Sequence, residues 1–310
     1  MMKVLSILPP FLPIEEISSA LGQVMPEGEI VTSTDFGSNE AEVLIVTTFT
    51  TVDENLVSRI PNLKFVQVAS TGYDNVDIPA LRKRNVMLSN IPTANKDSVA
   101  EHVIAMALSQ LKNIMHFHSE IKSGNWPVLT NSMELMNRTF GIVGMGAIGK
   151  KLAEKLLHLG ANTVYYDTVR LEEEMEEDLG LTFLELDSLF SRSDIISLHV
   201  PLTEQTRGMI GKNEFSKMKD GALIINTSRG GVVDEGALID AVKSRGIKAC
   251  IDVYEKEPPD FKSELFGLDN VIFSPHIAGV TVESQQRFMK DTISNVMKFI
   301  QGLDPQFRVI

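Results

Sequence analysis

The hexapeptide Gly144-Met145-Gly146-Ala147-Ile148-Gly149 constrains this chain most, because of what flanks it. The apolar run Phe140-Gly141-Ile142-Val143 precedes it, and residues 150–158 carry a helical pattern directly after it. Glycines so spaced make a strand-to-helix turn. The first permits the sharp bend, the second lets backbone approach a pyrophosphate, and the third lets helix and strand pack closely. Amides left unpaired at the helix start then face the phosphate charge. Such a turn belongs to a βαβ unit, so the flanking chain should alternate strands with helices.

It does so almost from end to end, which predicts an α/β fold around parallel sheets. In the first third, residues 3–8, 43–47, 64–69 and 86–88 read as strands of one small α/β unit. A second series follows at 139–143, 162–166, 194–199, 222–226, 248–253 and 271–273, enough for a full dinucleotide-type sheet. Between the two, Ser98 and Glu101 have the spacing of a capping box, and a helical pattern runs on to about Lys122, long enough to bridge two domains. Residues 281–300 are helical again and are expected to return the chain to its first domain. The expected architecture is a Rossmann-type doubly wound domain over residues 98–281. A smaller, discontinuous flavodoxin-like substrate domain is expected from residues 1–97 and 282–310. The acidic run at 172–177 reads as a solvated helix face.

The 310 residues are 43% hydrophobic, which suits two domains with cores of their own. A net charge of -12, with no cluster of Lys and Arg, argues against a nucleic-acid surface and for a small-molecule partner. The single cysteine, Cys250, lies in an apolar run and reads as packing in a reducing compartment. The amino-terminal stretch is interrupted by Pro9, Pro10 and Pro13 and has no secretory cleavage pattern, and no apolar run is long enough for a membrane span. A cytoplasmic protein is expected.

The second strand of the later series ends in Tyr165-Tyr166-Asp167, which puts Asp167 at the spacing expected of a ribose-binding acid. A carboxylate there accepts hydrogen bonds from a ribose 2′-hydroxyl and repels a 2′-phosphate, so NAD is expected in preference to NADP. At about 4 Å the repulsion is roughly 1 to 4 kcal/mol, a preference of about tenfold to several hundredfold. Arg170 complicates this reading, because its cation suits a 2′-phosphate if Asp167 turns away.

Three later strands end in side chains of complementary chemistry: Asn226-Thr227-Ser228-Arg229-Gly230-Gly231, then Asp252 to Glu257 and Pro258, then Ser274-Pro275-His276-Ile277-Ala278-Gly279. Open α/β sheets hold their ligands at the carboxyl ends of strands. A guanidinium grips a carboxylate through two parallel hydrogen bonds. An imidazole exchanges protons near neutrality, and a neighbouring carboxylate keeps it protonated longer. Arg229, Glu257 and His276 therefore supply what reduction of a 2-keto acid demands. His102, His116, His118, His158 and His199 read first as structural, and without H-E-x-x-H or a cysteine cluster no metal is expected.

These residues, together with Ser70-Thr71-Gly72-Tyr73-Asp74-Asn75-Val76-Asp77, Ser98 to His102 and His199-Val200-Pro201-Leu202-Thr203, resemble the NAD-dependent D-2-hydroxyacid dehydrogenases over nearly the whole chain. The resemblance implies that Arg229 binds the substrate carboxylate and keto group, Glu257 orients His276, and His276 is the acid/base. It assigns the backbone amides of Thr71 and Gly72 to the substrate carboxylate. The NAD-binding set it implies comprises Gly144, Met145, Gly146, Ala147, Ile148, Gly149, Asp167, His199, Val200, Pro201, Thr206, Thr227, Asp252, His276 and Gly279. It also implies a homodimer and a cleft that closes on a short 2-keto acid. Glyoxylate or hydroxypyruvate comes first among substrates, with 3-phosphoglycerate and pyruvate behind. The chain stops soon after its returning helix, so a further carboxyl-terminal regulatory domain is not expected. An NAD(H)-sensing binding protein of corepressor type, sharing this fold, is the alternative.

Overall fold

The computed structural model describes residues 2–10, 12, 14–25, 28–128 and 130–310; Met1 and Pro13 of the amino-terminal stretch lie outside the described residues. The chain divides into two compact units, one running up to Asn95 and completed by Thr281–Ile310, the other formed by Lys96–Val280.

The first unit is a five-stranded parallel sheet of β1 (Val4–Ile7), β2 (Glu29–Val31), β3 (Val43–Val46), β4 (Phe65–Val68) and β5 (Met87–Ser89), in the order β2-β1-β3-β4-β5. This is the doubly wound order of flavodoxin-like sheets. Crossover helices cover both faces of such a sheet, so its inner strands are mostly apolar, with Ser6 and Gln67 the polar exceptions. Leu5, Leu44 and Val66 pack with Leu56, Ile60 and Leu81 on one face. Val4, Val43 and Phe65 pack with Leu21 and Val296 on the other. Val296 belongs to the helix Val282–Ile300, whose Phe299 stacks on Phe65 at 4.7 Å between ring centroids. The final helix thus returns to the first sheet.

The second unit holds β6 (Thr139–Val143), β7 (Asn162–Tyr166), β8 (Leu181–Phe183), β9 (Ile195–Leu198), β10 (Leu223–Asn226), β11 (Lys248–Ile251) and β12 (Val271–Phe273). All are parallel, in the order β12-β11-β10-β9-β6-β7-β8. This is the dinucleotide-binding order with one strand added beyond the usual six. Cys250 is fully buried with Phe140, Tyr165 and Met106, and burial pushes its thiol up to about 12. It is a packing residue.

Four local features differ from the sequence reading. Strands β2 and β8 were not expected; both are three-residue edge strands, partly solvated, and lack the apolar run of an inner strand. The helical pattern from 98 to 122 is two helices, Lys96–Leu111 and Ile114–Lys122, parted where Asn113 adopts a left-handed φ of 51°. Ser98 lies inside the first of these, not at its start, and the Glu101 carboxylate instead accepts from Lys155 at 2.9 Å. In the acidic run, Glu176 is buried; the others follow the solvated reading.

The carboxyl-terminal residues are fastened by a buried amide network. Asn295 Nδ2 donates to Gln67 Oε1 (3.0 Å) and to the Gln306 carbonyl (3.1 Å), and Asn295 Oδ1 accepts from the Gln306 N–H (2.9 Å). Beyond it, Val309 N–H donates to the Leu88 carbonyl, laying the tail against β5. Asn295→Ala strands these buried partners and is expected to lower unfolding free energy in urea by about 2–4 kcal/mol. The exposed Lys290→Ala should stay within about 0.5 kcal/mol of wild type. Equal stability of the two variants would show that the network adds nothing.

Candidate active site

The glycine turn joins β6 to the helix Ala147–His158. Gly144 takes a φ of +99°, which favours glycine, and a methyl there would stand 2.7 Å from the His199 carbonyl. A methyl at Gly149 would collide with the Gly144 carbonyl oxygen, so the helix sits directly against the turn. Above Gly146, by contrast, a methyl meets nothing within 4 Å. The helix has no side-chain cap at Gly146, so its first-turn amides, which begin at Ala147 and Ile148, are left for a ligand. Met145 buries its side chain.

Asp167 follows β7 and folds back on this turn, its Oδ2 accepting from the Met145 N–H at 2.6 Å. Its Oδ1 accepts from the Val169 N–H at 3.3 Å. Arg170 points elsewhere: Nε and Nη2 donate to the two Glu176 carboxylate oxygens at 2.8 and 2.7 Å. That guanidinium, with the Tyr165 hydroxyl, holds the Glu176 carboxyl down to about 2. Across the loop after β9, His199 Nε2 lies 2.9 Å from Ser197 Oγ, and burial pushes its imidazole down to about 4, so it is neutral at physiological pH. Val200 packs at Gly144, with Pro201 next to it. Thr206 Oγ donates to the Pro201 carbonyl and accepts from the Thr203 N–H, so its side chain closes the 201–206 turn.

Strands β10, β11 and β12 are neighbours in the sheet, and Arg229, Glu257 and His276 follow their respective carboxyl ends. The sequence places these residues at consecutive strand ends along the chain; the sheet order makes those ends adjacent in space. His276 Nδ1 is 2.7 Å from Glu257 Oε2. With that nitrogen committed to a carboxylate, Nε2 is the one left for proton exchange. The other Glu257 oxygen accepts from the Tyr254 N–H at 3.0 Å. His276 itself has a left-handed φ of 54°, a conformation that costs a non-glycine residue about 1–3 kcal/mol and is held by its surroundings.

Asp252 supplies that support. It is fully buried, and its carboxylate accepts from the Ser274 hydroxyl (2.5 Å), the Ile277 N–H (2.9 Å) and the Ala278 N–H (3.0 Å), while the His276 N–H donates to its carbonyl. Both carboxylate oxygens are thus occupied in the His276 loop. Gly279 completes the same turn, in which the Val280 N–H donates to the Ile277 carbonyl. His102, read above as structural, lies with Nε2 3.1 Å from Ser274 Oγ and 3.8 Å from Asp252 Oδ1. Its only sequence signal was its place in the Ser98 to His102 motif. The Tyr254 hydroxyl, pushed up to about 12 chiefly by burial, donates to the Ser274 carbonyl.

On β10, the buried Asn226 shapes the arginine turn. Its Oδ1 accepts from Ser228 N–H and Oγ, and its Nδ2 donates to the Arg229 carbonyl. A methyl at Gly230 would collide with the backbone at Tyr254 and Glu255, so the loop bearing Arg229 lies directly on the loop bearing Glu257. Thr227 Oγ1 is buried without a hydrogen-bond partner. An orphan hydroxyl, open space above Gly146 and uncapped helix amides together fit a bound dinucleotide. In the first unit, Thr71 and Gly72 lie in the loop after β4, with Thr71 Oγ1 2.8 Å from Asn95 Oδ1 and the Gly72 carbonyl accepting from Ser70 Oγ. Among the described residues, no three His, Cys, Asp or Glu side chains gather as for a metal ion, and no helix is long and apolar enough to cross a membrane.

Residues 104–278 match the protein family described as "D-isomer specific 2-hydroxyacid dehydrogenase, NAD binding domain", a span that contains the glycine turn, Asp167, Arg229, Glu257 and His276. A D-3-phosphoglycerate dehydrogenase of Archaeoglobus fulgidus is 38% identical over 264 residues, which cover 84% of this chain and 50% of that protein. The chain thus spans about half the length of that relative. A hydroxypyruvate reductase of Thermotoga maritima is 37% identical over 263 residues, 84% of this chain and 85% of that protein. A D-lactate dehydrogenase from Aquifex aeolicus, solved with NAD and lactic acid, superposes with a TM-score of 0.87 at 32% identity, covering 96% of each chain. With the family match spanning more than half of its length, the chain belongs to the D-isomer-specific 2-hydroxyacid dehydrogenases, NAD-dependent oxidoreductases that act on CH–OH donors.

Proposed function

We propose that this protein interconverts a short 2-keto acid and the corresponding D-2-hydroxy acid, with glyoxylate and hydroxypyruvate ahead of pyruvate and 3-phosphoglycerate. The observation that carries the reading is the 2.7 Å contact of His276 Nδ1 with Glu257, beside the strand end that bears Arg229. NADH, when bound, supplies the hydride. His276 Nε2 delivers the proton to the carbonyl oxygen in reduction and takes it back in oxidation. The Glu257 carboxylate fixes the ring and stabilises its protonated form. Arg229 holds the substrate carboxylate and polarises the keto group. Asp167 accepts from the adenosine ribose and favours NAD over NADP. The corepressor-type alternative has no observation in its favour.

A second copy of the chain is the proposed partner, in the cytoplasm, where a lone buried thiol is at home. Support comes from the helix Ile114–Lys122, which buries none of its residues, and from the segment after it. Ile114, Met115 and Ile121 are about half exposed, and Trp126 and Val128 more than four-fifths. An apolar surface of this extent marks an interaction site. Ile121→Glu combined with Trp126→Glu is expected to halve the mass measured by analytical ultracentrifugation. An unchanged mass would place the subunit contact elsewhere.

NADH oxidation with glyoxylate, hydroxypyruvate, pyruvate and longer 2-keto acids tests the activity. His276→Ala should lower kcat by roughly 10²–10⁴-fold, the usual worth of a positioned acid/base. Arg229→Ala should cost at least about a hundredfold in kcat/KM. NADH binding without turnover by wild type would favour the sensing role. Gly230→Ala separates positioning from chemistry: it should depress kcat/KM by about tenfold or more, since a misplacement of about 1 Å costs on the order of a hundredfold. NADH affinity should remain within about threefold. Full activity in this variant would mean that the two loops adjust freely.

A further inference from the structure

Between residues 159 and 191 the chain has a single cationic side chain, Arg170. It stands three residues beyond Asp167, at most ~11 Å along the chain, and the bond from the Val169 N–H to Asp167 Oδ1 folds this segment back toward the acid. A guanidinium in that position suits the 2′-phosphate that distinguishes NADP from NAD. Yet Arg170 is engaged at two points by Glu176, at 2.8 and 2.7 Å, and its Cζ lies 5.6 Å from the centre of the Phe183 ring.

Glu176 is held in its turn. It is buried, and its Oε1 also accepts from the Tyr165 hydroxyl at 2.5 Å. Tyr165 is fully buried on β7, the strand that delivers Asp167, and its hydroxyl oxygen accepts from the Leu171 N–H at 2.9 Å. The nearby Glu172, Glu173 and Glu174 are exposed, so water screens their pull on Arg170. Glu176 is the one acid of the run built into the core.

We propose that Glu176 sets cofactor choice by holding Arg170 away from the ribose end of the site, so that the protein discriminates against NADP through a sequestered cation as well as through Asp167. The inference rests on the reading of Asp167 as the ribose ligand. Glu176 is a positioning residue, acting through Arg170, and Tyr165 fixes Glu176.

Calorimetric titration of the full-length protein with NAD and NADP tests this without recourse to activity. Glu176→Gln should shift the ratio of the two dissociation constants toward NADP by about tenfold or more, the scale of one charge contact near a protein surface. Adding Arg170→Ala should abolish that gain, and Arg170→Ala alone should leave the ratio within about twofold. An unchanged ratio in folded Glu176→Gln overturns the proposal. So does a gain that survives in the double variant, because the lost negative charge would then explain it. If Glu176→Gln does not fold, Val169→Arg at an exposed position supplies an unheld guanidinium beside the same turn. It should raise NADP affinity, and no rise would mean that a cation here does not reach the phosphate. Asp167→Asn separates the two levels. Unaltered NAD binding in that variant defeats the ribose reading itself, whereas weakened NAD binding alongside an unresponsive Glu176→Gln defeats only the role of Glu176.

Discussion

The His276 loop is built around a carboxylate that never meets water. Asp252 is fully buried at the end of β11, and a buried carboxylate persists only when its oxygens are hydrogen-bonded. The Ser274 hydroxyl and the Ile277 and Ala278 amides meet that requirement, and all three come from the segment that carries His276. The same contacts hold a histidine backbone in the left-handed region, where it would not stay by itself. Glu257 and the Tyr254 hydroxyl brace the loop from the neighbouring strand end. Loss of Asp252 would strand the buried Ala278 amide at about 1–3 kcal/mol and release the part-buried Ile277 amide, and the imidazole orientation would go with them.

Three acids in the same unit are thus put to different uses by their surroundings. Asp252 holds the His276 loop in place. Asp167 shares one oxygen with the Met145 N–H at the glycine turn and stays at the ligand-binding edge of the sheet. Glu176 is buried against Arg170 and Tyr165, which hold its carboxyl near 2, so this pair persists until the pH falls far below the ordinary carboxylate range. Its contribution to stability is complete above about 4.5 and disappears as pH falls through about 2. Sequence position alone does not separate these roles; burial and hydrogen-bond partners do.

The parts of the molecule that could be read from the chain are those with local signals. Apolar runs buried on both faces announced the inner strands, and β6, β7 and β12 fall at the residues expected. The glycine turn announced itself because its three glycines answer separate steric demands, two of which are visible as collisions a methyl would suffer. Strands β2 and β8 escaped because an edge strand needs few apolar side chains, and the break at Asn113 escaped because one asparagine in the left-handed region leaves the helical periodicity almost intact. At the site, Arg229, Glu257 and His276 were identifiable from their places after strands. The supporting set was not. His102 and Ser274 meet across 172 positions of sequence, and Asn226 acts through bonds to Ser228 and Arg229 that exist only once the turn has formed. The fate of Arg170 was likewise open, since choosing between a phosphate and Glu176 required the fold.

The order of the second sheet explains why one edge can serve a dinucleotide and a reacting acid together. The chain reverses direction across the sheet between β6 and β9, leaving a crevice where the two halves diverge. The glycine turn stands at that crevice, on β6, and Asp167 stands one strand further on, at the end of β7. His276 follows β12, four strands from β6 in the opposite direction, or roughly 19 Å at about 4.8 Å per strand. A cofactor anchored by its pyrophosphate at β6 would therefore have Asp167 on one side and His276 on the other. The two demands never compete for the same strand ends. The inner strands are buried on both faces and tolerate little change, while the candidate site residues lie on the loops beyond the carboxyl ends. His276 with Glu257, the Arg229 turn, Asp167 and Glu176 all lie outside the inner strands, so the sheet itself is the same whatever those positions carry.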